Sequence, residues 1–374
     1  MPNQRKYQLC SRCVMDTSDS EIVFNGDGCC NHCEDYLYRI KNLTYQGEYS
    51  DNELIRIVNK IKVSGKNQKY DCVIGVSGGI DSSYVAYLAK KLGLKPLAVH
   101  LDNGWNSELA VSNIEKLLEK LGIDLYTHVL DWEEFKDLQL SFLKASIPEI
   151  ETPTDMAIPA VLHQQAAKHN IKYIISGGNY ATEAILPKSW HYDRKDVKFL
   201  KAIQKQFGTK KLKTFPTFGF QKEIYYKFAK GIRFFYMLNY VPYSKKEAVE
   251  LLEKELNWKY YGGKHYESRY TKLVQSYILP EKFNIDYRRS TLATQICAGE
   301  ENREESIEEL KLSAFRSINL NEEIEYFCKK LDLKVSDFEK MMKEAPKSYQ
   351  DYSNNQNFLE FLYRVYFKFI NLKN

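Results

Sequence analysis

The feature that most constrains this chain is a short loop between an apolar stretch and a helix-forming one. The apolar stretch, residues 71–76, is uninterrupted and rich in β-branched residues, as expected of a central parallel strand covered on both faces. The loop reads Ser77-Gly78-Gly79-Ile80-Asp81-Ser82-Ser83. Its two glycines let the backbone come close to an anion, and the N–H groups at the start of the next helix, predicted from Ser83 to Leu92, point at that anion. The sequence therefore predicts a phosphate-binding loop.

The side chains of the loop extend this prediction. We expect the hydroxyl groups of Ser77, Ser82 and Ser83 to donate hydrogen bonds to phosphate oxygens. Asp81 would repel a phosphate unless a divalent cation lay between them, so a Mg²⁺ contact is predicted for Asp81, with helix capping as the alternative. The loop has neither the Gly-Lys-Ser/Thr of a Walker-type loop nor the Gly-x-Gly-x-x-Gly of a dinucleotide site. The alternative for the whole segment is an ordinary glycine-rich turn.

Strands and helices alternate after this loop. Further strands are predicted at residues 96–101, 125–130 and 173–175, and helices at 107–121 and 158–169. Strict alternation predicts an α/β fold with a doubly wound, mainly parallel sheet, whose ligands bind at the carboxyl ends of the strands. Those ends carry Asp102-Asn103 and Gly177-Gly178-Asn179, which we expect to lie at the same edge as the phosphate loop.

Cysteines are concentrated near the amino terminus. Cys10-x-x-Cys13 and Cys30-x-x-Cys33 have the two-knuckle spacing of a tetrahedral zinc site, and four thiolates would close the coordination sphere around a structural Zn²⁺. Cys29 and His32 are competing ligands, and a redox role for the thiols stays open. The other cysteines are expected to be small buried hydrophobic residues: Cys72, Cys297 and Cys328.

The remaining pattern predicts three parts: a cysteine-rich zinc-binding head at 1–45, an α/β domain at 46–190, and a mainly helical region at 191–374 that contributes to the substrate site. Within the last part, helices are predicted at 304–312 and 322–331. The net charge of +5 permits phosphate-rich ligands and does not demonstrate nucleic-acid binding.

We expect a cytoplasmic protein without a signal peptide, because the first residues are polar and basic and no run approaches the roughly 18 apolar residues of a membrane span. The aromatic stretch at 224–237 is interpreted as a helix that packs its aromatic face in a core, with membrane contact as the alternative. The basic stretch at 205–213 is interpreted as a solvated loop, with tRNA contact as the alternative.

The loop at residues 77–83 resembles the SGGxDS loop of the ATP pyrophosphatase (PP-loop) superfamily, whose domains have the adenine nucleotide alpha hydrolase type of sheet. The resemblance implies that ATP is cleaved to AMP and pyrophosphate and that AMP is transferred to a substrate oxygen. It also implies that the adenine and ribose lie near Asp102 and Asn103, and that Gly177 and Gly178 belong to the same nucleotide site.

Several further segments resemble the N-acetyl sugar amidotransferase family of O-antigen and pseudaminic or legionaminic acid biosynthesis. They are the head at 10–16, the phosphate loop, the stretch Thr152-Pro153-Thr154-Asp155-Met156-Ala157-Ile158-Pro159, and the segments at 260–268, 275–283, 288–289 and 296–299. The resemblance therefore runs over nearly the whole chain.

This resemblance implies a reaction. An acetamido group of an N-acetylated sugar, free or nucleotide-linked, would be converted to an acetamidino group, because adenylation turns the poor amide leaving group into an O-adenylyl imidate that ammonia can displace. The ammonia would come from a separate glutaminase. The sequence agrees with that division of labour, since no cysteine follows Met1 directly and none occupies a Gly-x-Cys-x-Gly elbow.

Further candidate residues lie outside the phosphate loop. Lys264, His265 and Glu267 are predicted to orient the adenylate or to transfer protons, since a lysine near a transferring phosphate stabilises developing charge. Their alternatives are a solvated face for Lys264 and Glu267 and a buried core imidazole for His265. The candidates for sugar or metal contacts are Asp155, Asn179 and Glu183.

Two other functions remain open from the sequence. The first is a tRNA-modifying, thiolating PP-loop enzyme that uses the cysteine head, although it would need a reactive cysteine near the loop, and Cys72 lies within a predicted buried strand. The second is a zinc-stapled protein that binds a nucleotide without turnover. No nucleic-acid partner is expected under the amidotransferase interpretation.

Overall fold

A computed structural model describes residues 6–262, 266–316 and 318–371, without the side chains of 366–371. At its centre lies a sheet of five parallel strands in the order β3-β2-β1-β4-β5. The strands are β1 Cys72–Gly75, β2 Pro96–Asp102, β3 Asp124–Val129, β4 Tyr173–Ser176 and β5 Arg233–Tyr236. The predicted doubly wound parallel sheet is confirmed, as are the four strands expected from the sequence.

Successive residues of a strand point to opposite faces, and β1 shows why its run is continuously apolar. Ile74 packs on one face, in a cluster with helices on that side of the sheet, and Val73 packs on the other. The helices of this part are α2 Glu48–Ser64, α3 Ile80–Lys91, α4 Glu108–Leu121, α5 Trp132–Lys144, α6 Thr152–Lys168, α7 Tyr180–Glu183, α8 Val197–Phe207, α9 Phe220–Ile224 and α10 Lys245–Leu256. Residues of α2, α3, α4 and α10 belong to the first cluster, and residues of α6 belong to the second.

The interpretation of the aromatic stretch at 224–237 as one helix with its aromatic face in a core was wrong, because only its first part is helical and Ile224, Tyr225 and Phe228 are exposed there. A helical segment formed by α9 and the π-helical turn Tyr225–Ala229 ends before Gly231, whose φ of +68° turns the chain. Residues 233–236 then pair with β4, with Phe235 opposite Ile175, because the edge of β4 offers unpaired backbone groups. This fifth strand lies beyond residue 190, the predicted limit of the α/β domain.

The C-terminal region is helical, as predicted. Its helices are α11 Arg269–Leu273, α12 Leu279–Phe283, α13 Tyr287–Ala298, α14 Arg303–Lys311, α15 Leu320–Lys330, α16 Val335–Lys343 and α17 Gln356–Asn371, with the π-helical turn Val274–Ile278 joining α11 to α12. They pack around buried aromatic residues such as Tyr270 and Phe327, whose rings stack with centroids 5.4 Å apart. None of the helices in the described ranges combines the length and the apolar character needed to cross a bilayer.

The head joins this helical core. It consists of irregular chain with isolated bridges at Leu9–Asp16 and Phe24–Cys30, followed by helix α1 Asn31–Leu43. Its buried cysteines belong to the same cluster of buried residues as α13 and Tyr270. The head is therefore part of the core of the C-terminal region, although the two are about 250 residues apart in sequence.

Candidate active site

The phosphate loop lies where the sequence predicts it, between β1 and α3. Gly78 has a φ of +81°, and a Cβ atom placed on it would lie 2.7 Å from the carbonyl oxygen of Ala110 in α4. Only glycine satisfies both conditions. The indole Nε1 of Trp258 donates a hydrogen bond to the Gly78 carbonyl over 3.1 Å, which fixes the orientation of that peptide.

Hydroxyl groups hold the loop in shape. The Oγ atoms of Ser77 and Ser82 lie 3.3 Å apart, and the backbone N–H of Gly79 donates to Ser77 Oγ over 3.2 Å. Ser82 Oγ donates to the carbonyl of Gly79. The side chain of Ser83 is fully buried under the loop, and its hydroxyl has no hydrogen-bond partner among the described residues. Ser77 and Ser82 are thus less buried than Ser83, and Ser77 lines the cleft.

Asp81 is the second residue of α3, and the hydroxyl of Tyr243 donates a hydrogen bond to its Oδ1 atom. Burial and the neighbouring Asp81 carboxylate raise the pKa of Tyr243 well above its ordinary value, so this phenol stays a donor. The loop after β4 comes close here as well, since a Cβ on Gly177 would lie 3.0 Å from the Asp81 carbonyl carbon. The two glycine-bearing strand ends therefore meet, as predicted.

The end of β2 is ordered by a chain of hydrogen bonds. His100 Nδ1 donates to the carbonyl of Val76 over 2.8 Å, which leaves Nε2 to accept from the Asn106 amide at 3.0 Å. Asp102 Oδ1 accepts from the backbone N–H of Gly104, and Asn103 Oδ1 accepts from the N–H of Trp105. These side chains shape the turn, and Asn103 also lines the cleft.

Asn179 has a local structural role. Its Oδ1 accepts from the backbone N–H of Thr182 over 2.9 Å and caps the short helix α7. Its Nδ2 donates to the carbonyl of Gly177, and the side chain is buried. The observed hydrogen bonds of the Asn179 side chain are therefore to neighbouring backbone groups. Its predicted contact with the substrate stays a prediction.

A cleft with a volume of about 1040 Å³ opens at this edge of the sheet and extends to the C-terminal helices. Six of the residues singled out in the sequence line it: Ser77, Asn103, Asp155, Gly177, Glu183 and Glu267. The other described candidates support the loop or the strand ends around it: Gly78, Gly79, Asp81, Ser82, Ser83, Asp102, Gly178 and Asn179. The arrangement can hold a nucleotide's phosphates at one end and a second, polar molecule at the other.

Glu267 reaches the loop from the C-terminal part of the chain. Its backbone carbonyl accepts from the N–H of Ser107 over 2.8 Å, and its Oε1 would lie 3.3 Å from a Cβ placed on Gly79. The hydroxyl of Tyr261 would lie equally close to that Cβ, and burial raises its pKa. The other two candidates of this segment, Lys264 and His265, lie outside the described residues.

The far wall of the cleft contains residues that the sequence analysis missed. Arg194 approaches Asp155, with Nη1 3.4 Å from Oδ2, and that carboxylate raises the pKa of the guanidinium. The rings of Trp190 and Tyr287 stack nearly parallel with centroids 5.7 Å apart. Glu149 is also part of this wall. The sequence signals nearest to this wall were the Thr152–Pro159 stretch that follows Glu149 and the 288–289 segment that follows Tyr287.

The four predicted cysteine ligands come together in the head. The Sγ atoms of Cys10, Cys13, Cys30 and Cys33 all lie within 4.8 Å of one another, and all four side chains are fully buried. The sulfur–sulfur distances are 3.8 Å for Cys10–Cys33 and 3.7 Å for both Cys13–Cys30 and Cys30–Cys33. A tetrahedron with Zn–S bonds of about 2.3 Å has edges of about 3.8 Å, so this donor set fits Zn²⁺.

Backbone N–H groups support the same geometry. The N–H groups of Arg12, Cys13 and Cys30 point at Cys10 Sγ over 3.2–3.4 Å, as they would to stabilise a thiolate. His32 is turned away from the cluster, because its Nε2 bonds to Asp19 Oδ2 at 2.6 Å. That ion-pair partner raises the pKa of His32 against the lowering effect of burial.

One cysteine was wrongly interpreted. Cys297 is not an isolated buried residue, because its Sγ lies 3.6 Å from that of Cys33. It sits on α13, and no local spacing links it to the knuckles. Cys72 and Cys328 are buried, as predicted.

Comparison with known proteins gives two family matches. Residues 53–147 match the NAD synthase family, and residues 267–366 match the family described as LPS biosynthesis protein WbpG-like, C-terminal domain. The first match covers the phosphate loop with β1 to β3, and the second covers α11 to α16 and most of α17.

Individual relatives are more distant. The chain is 36% identical over 70 residues to tRNA(Ile)-lysidine synthase of Chlamydia pneumoniae, and 27% identical over 141 residues to tRNA-specific 2-thiouridylase MnmA 2 of Fusobacterium nucleatum. These matches cover 18% and 34% of this chain, and only 22% and 41% of the two relatives.

Among solved structures, the NH3-dependent NAD synthetase of Campylobacter jejuni aligns at 22% identity with a TM-score of 0.27, over 35% of this chain and 57% of that one. The NMN synthetase of Francisella tularensis aligns at 19% identity with a TM-score of 0.31, over 57% and 94% of the two chains.

Proposed function

This chain belongs to the N-acetyl sugar amidotransferase family of the PP-loop superfamily, and from that membership we propose that it converts an acetamido group of a sugar into an acetamidino group. ATP activates the amide oxygen, AMP and pyrophosphate are the by-products, and ammonia supplies the new nitrogen. The sugar is an N-acetylated precursor of a bacterial surface glycan. The WbpG-like C-terminal match, in a family named for lipopolysaccharide biosynthesis, supports the substrate class.

The first half-reaction occurs at the phosphate loop. The backbone N–H groups at the start of α3 and the hydroxyls of Ser77 and Ser82 bind the phosphates that leave as pyrophosphate. Mg²⁺ bound with ATP would offset phosphate charge, and the residue that would hold it is Asp81. The hydroxyl of Tyr243 orients the Asp81 carboxylate.

The second half-reaction occurs across the cleft. The amide, once its oxygen carries AMP, presents a carbon atom that ammonia attacks, and AMP leaves with the oxygen. Water must be kept out, because it would return the amide. The partly enclosed cleft between the loop and the C-terminal helices supplies that protection. A separate glutaminase releases the ammonia.

The observation that carries this proposal is the continuity of one cleft across the two matched families. Ser77 belongs to the NAD synthase-like segment and Tyr287 to the WbpG-like segment, and both line it. A protein that only binds a nucleotide would not need this second, polar wall. The proposed structural role of Zn²⁺ is to hold the head on the C-terminal helices.

The test is pyrophosphate release by the purified protein with ATP, Mg²⁺, ammonium chloride and a panel of N-acetylated nucleotide sugars that includes UDP-N-acetylglucosamine. The expected result is sugar-dependent release together with a product mass that reports the replacement of oxygen by NH. If tRNA supports pyrophosphate release and none of the sugars does, a tRNA-modifying enzyme is favoured. No release with any acceptor would favour a nucleotide-binding protein without turnover.

A thiolating reaction on tRNA fits the site less well. Both curated relatives named above act on tRNA, but their likeness covers a minor part of this chain. The described residues that line the cleft include no cysteine, and Cys72 is fully buried in β1. A thiol carrier for sulfur is therefore missing from the described wall of this cleft.

A further inference from the structure

The far wall of the cleft holds a carboxyl group that the reaction as described does not use. Glu149 precedes α6 and is only 7% exposed. Its Oε2 atom is buried without a hydrogen-bond partner among the described residues, although Glu149 lines the cleft. A buried carboxyl without a partner costs free energy, and such groups persist where a ligand or a proton transfer requires them.

The nearby carboxylates differ from Glu149 because they have partners. Glu151 Oε2 accepts from the Gln275 amide over 2.9 Å, and Asp155 pairs with Arg194. For Glu149, by contrast, burial is the dominant influence, and it raises the pKa of the carboxyl group from 4.5 to about 7. A carboxyl group with such a pKa can both accept and release a proton near neutral pH.

A second unsatisfied atom belongs to the same wall. The indole Nε1 of Trp190, in a side chain that is 2% exposed, has no acceptor among the described residues. Trp190 stacks on Tyr287, and the charge of Glu149 is among those that raise the pKa of the Tyr287 phenol. Tyr287 therefore links the indole N–H of Trp190 and the unpartnered Oε2 atom of Glu149 in one subsite. That combination suits a polar ligand that offers an acceptor atom and gives up a proton.

We propose that Glu149 is the acid–base residue of the nitrogen-transfer step, in a subsite where the Trp190 indole N–H binds an acceptor atom of the substrate. The inference rests on the proposed function. It adds a residue outside the phosphate loop, outside the 260–268 segment and outside the cysteine head.

The proton balance of the step defines the role. Ammonia attacks the carbon of the protonated imidate, a C–N bond forms, and the positive charge moves to the incoming nitrogen. The Glu149 carboxylate takes one proton from that nitrogen. The C–O bond to AMP then breaks, its electron pair leaves with the phosphate oxygen, and the product is an amidinium. Glu149 afterwards releases the proton to solvent.

Other titratable groups face this subsite and must be separated from Glu149 in any test. Glu151 and Asp155 lie at the start of α6, and Tyr287 lies on α13. Arg194 and His191 come from the segment before α8. His191 is the competing base, but burial lowers its pKa, and its Nδ1 is occupied by the carbonyl of Pro187 at 3.0 Å.

The experiment compares wild-type protein, Glu149→Gln and the neighbouring control Glu151→Gln in two assays. Adenylation is measured as sugar-dependent exchange between pyrophosphate and ATP without ammonia, using the same panel of N-acetylated nucleotide sugars. Nitrogen transfer is measured as product mass after ammonium chloride is added, over a pH series in which unprotonated ammonia is kept constant.

Glu149→Gln should keep the exchange within about threefold of wild type and slow nitrogen transfer by about 10²-fold or more, the usual contribution of a positioned base. The wild-type transfer rate should rise with pH through about 7. This rise should be lost in Glu149→Gln and kept in Glu151→Gln. If Glu149 had only a structural role, Glu149→Gln would not lose the rise of the transfer rate with pH while keeping pyrophosphate exchange intact.

The assignment is overturned if Glu149→Gln transfers nitrogen within threefold of wild type, or if the rise with pH persists in that variant. An equal loss of exchange and transfer would also overturn it, because Glu149 would then serve adenylation or folding. If none of the sugars in the panel supports pyrophosphate exchange by the wild-type protein, the proposed function is refuted, and the role of Glu149 with it.

Discussion

The Nη2 atom of Arg303 lies 2.7 Å from the backbone carbonyl oxygen of Cys10, a first-knuckle residue of the cysteine cluster. Its Nε atom also donates to the carbonyl of Cys13 over 3.1 Å. A second arginine, Arg289 on α13, forms an ion pair with the buried Asp16 at 3.1 Å. The head is thus tied to α14 by Arg303 and to α13 by Arg289, and α13 forms part of the cleft wall.

Loss of the proposed zinc should therefore disturb the cleft as well as the head. Cys30→Ser is expected to abolish stoichiometric zinc binding and to lower the thermal unfolding temperature, because the buried sulfur atoms in this shared core would lose the cation proposed to hold them together. Metal content by mass spectrometry and thermal unfolding measure both effects. Cys29→Ser is the matched control, since this adjacent thiol lies outside the group of four, and it should retain zinc. Retention of one zinc per chain in Cys30→Ser would contradict the proposed ligand set.

Gly78→Ala should damage the phosphate loop. A left-handed backbone costs an alanine about 1–2 kcal/mol, and its Cβ would also lie 2.7 Å from the Ala110 carbonyl oxygen, so the loop or α4 must shift. We expect a loss of ATP-dependent pyrophosphate release with a modest drop in unfolding temperature. Gly122 also has a positive φ, +57°, but a Cβ added there meets open space. Gly122→Ala therefore measures the free-energy cost of the left-handed backbone without a steric clash. Equal behaviour of the two variants would contradict the steric argument.

Asp81→Asn should raise the Mg²⁺ concentration needed for half-maximal pyrophosphate release and lower the maximal rate by about 10²-fold, since a preorganised charge near the transferring phosphate is lost. Tyr243→Phe keeps the carboxylate and removes only its hydrogen-bond donor, so its effect should be smaller. A titration of Mg²⁺ at saturating ATP checks both variants. An unchanged Mg²⁺ requirement in Asp81→Asn would argue for a helix-capping role instead.

The raised pKa of Glu149 predicts that the stability of the protein depends on pH. Because its folded-state pKa is raised from 4.5 to about 7, the folded protein holds this proton more tightly than the unfolded chain does. This contribution is fully present below pH 4.5 and is lost as the pH rises to about 7. The loss amounts to at most about 3 kcal/mol. Glu149→Gln cannot ionise, so urea unfolding should show its stability rising relative to wild type between pH 5 and pH 8. A constant difference across that range would contradict the raised pKa.

The local parts of the site could be predicted from the sequence. The phosphate loop and its strand follow from an apolar run, two glycines and a helix start that are adjacent in the chain. The cluster of four cysteines follows from two short spacings. Parallel strand ends share one edge of a sheet by topology, so the meeting of Gly177 with Asp81 was also predictable.

The parts that were missed depend on long-range contacts. Strand β5 has an ordinary aromatic sequence and becomes a strand because β4 presents an open edge. Cys297 reaches Cys33 across 264 residues of sequence. Glu149, Trp190 and Tyr287 carry no shared motif, and only the packing of α13 against the head and α6 brings them into one wall.

The sequence by itself determined the α/β sheet, the phosphate loop and the knuckle cysteines, because each depends on the periodicity or spacing of neighbouring residues. Only the tertiary structure decided the far wall of the cleft and the burial of Glu149 within it. Burial depends on which distant segments exclude water from a side chain, and a pattern along the chain does not encode that directly.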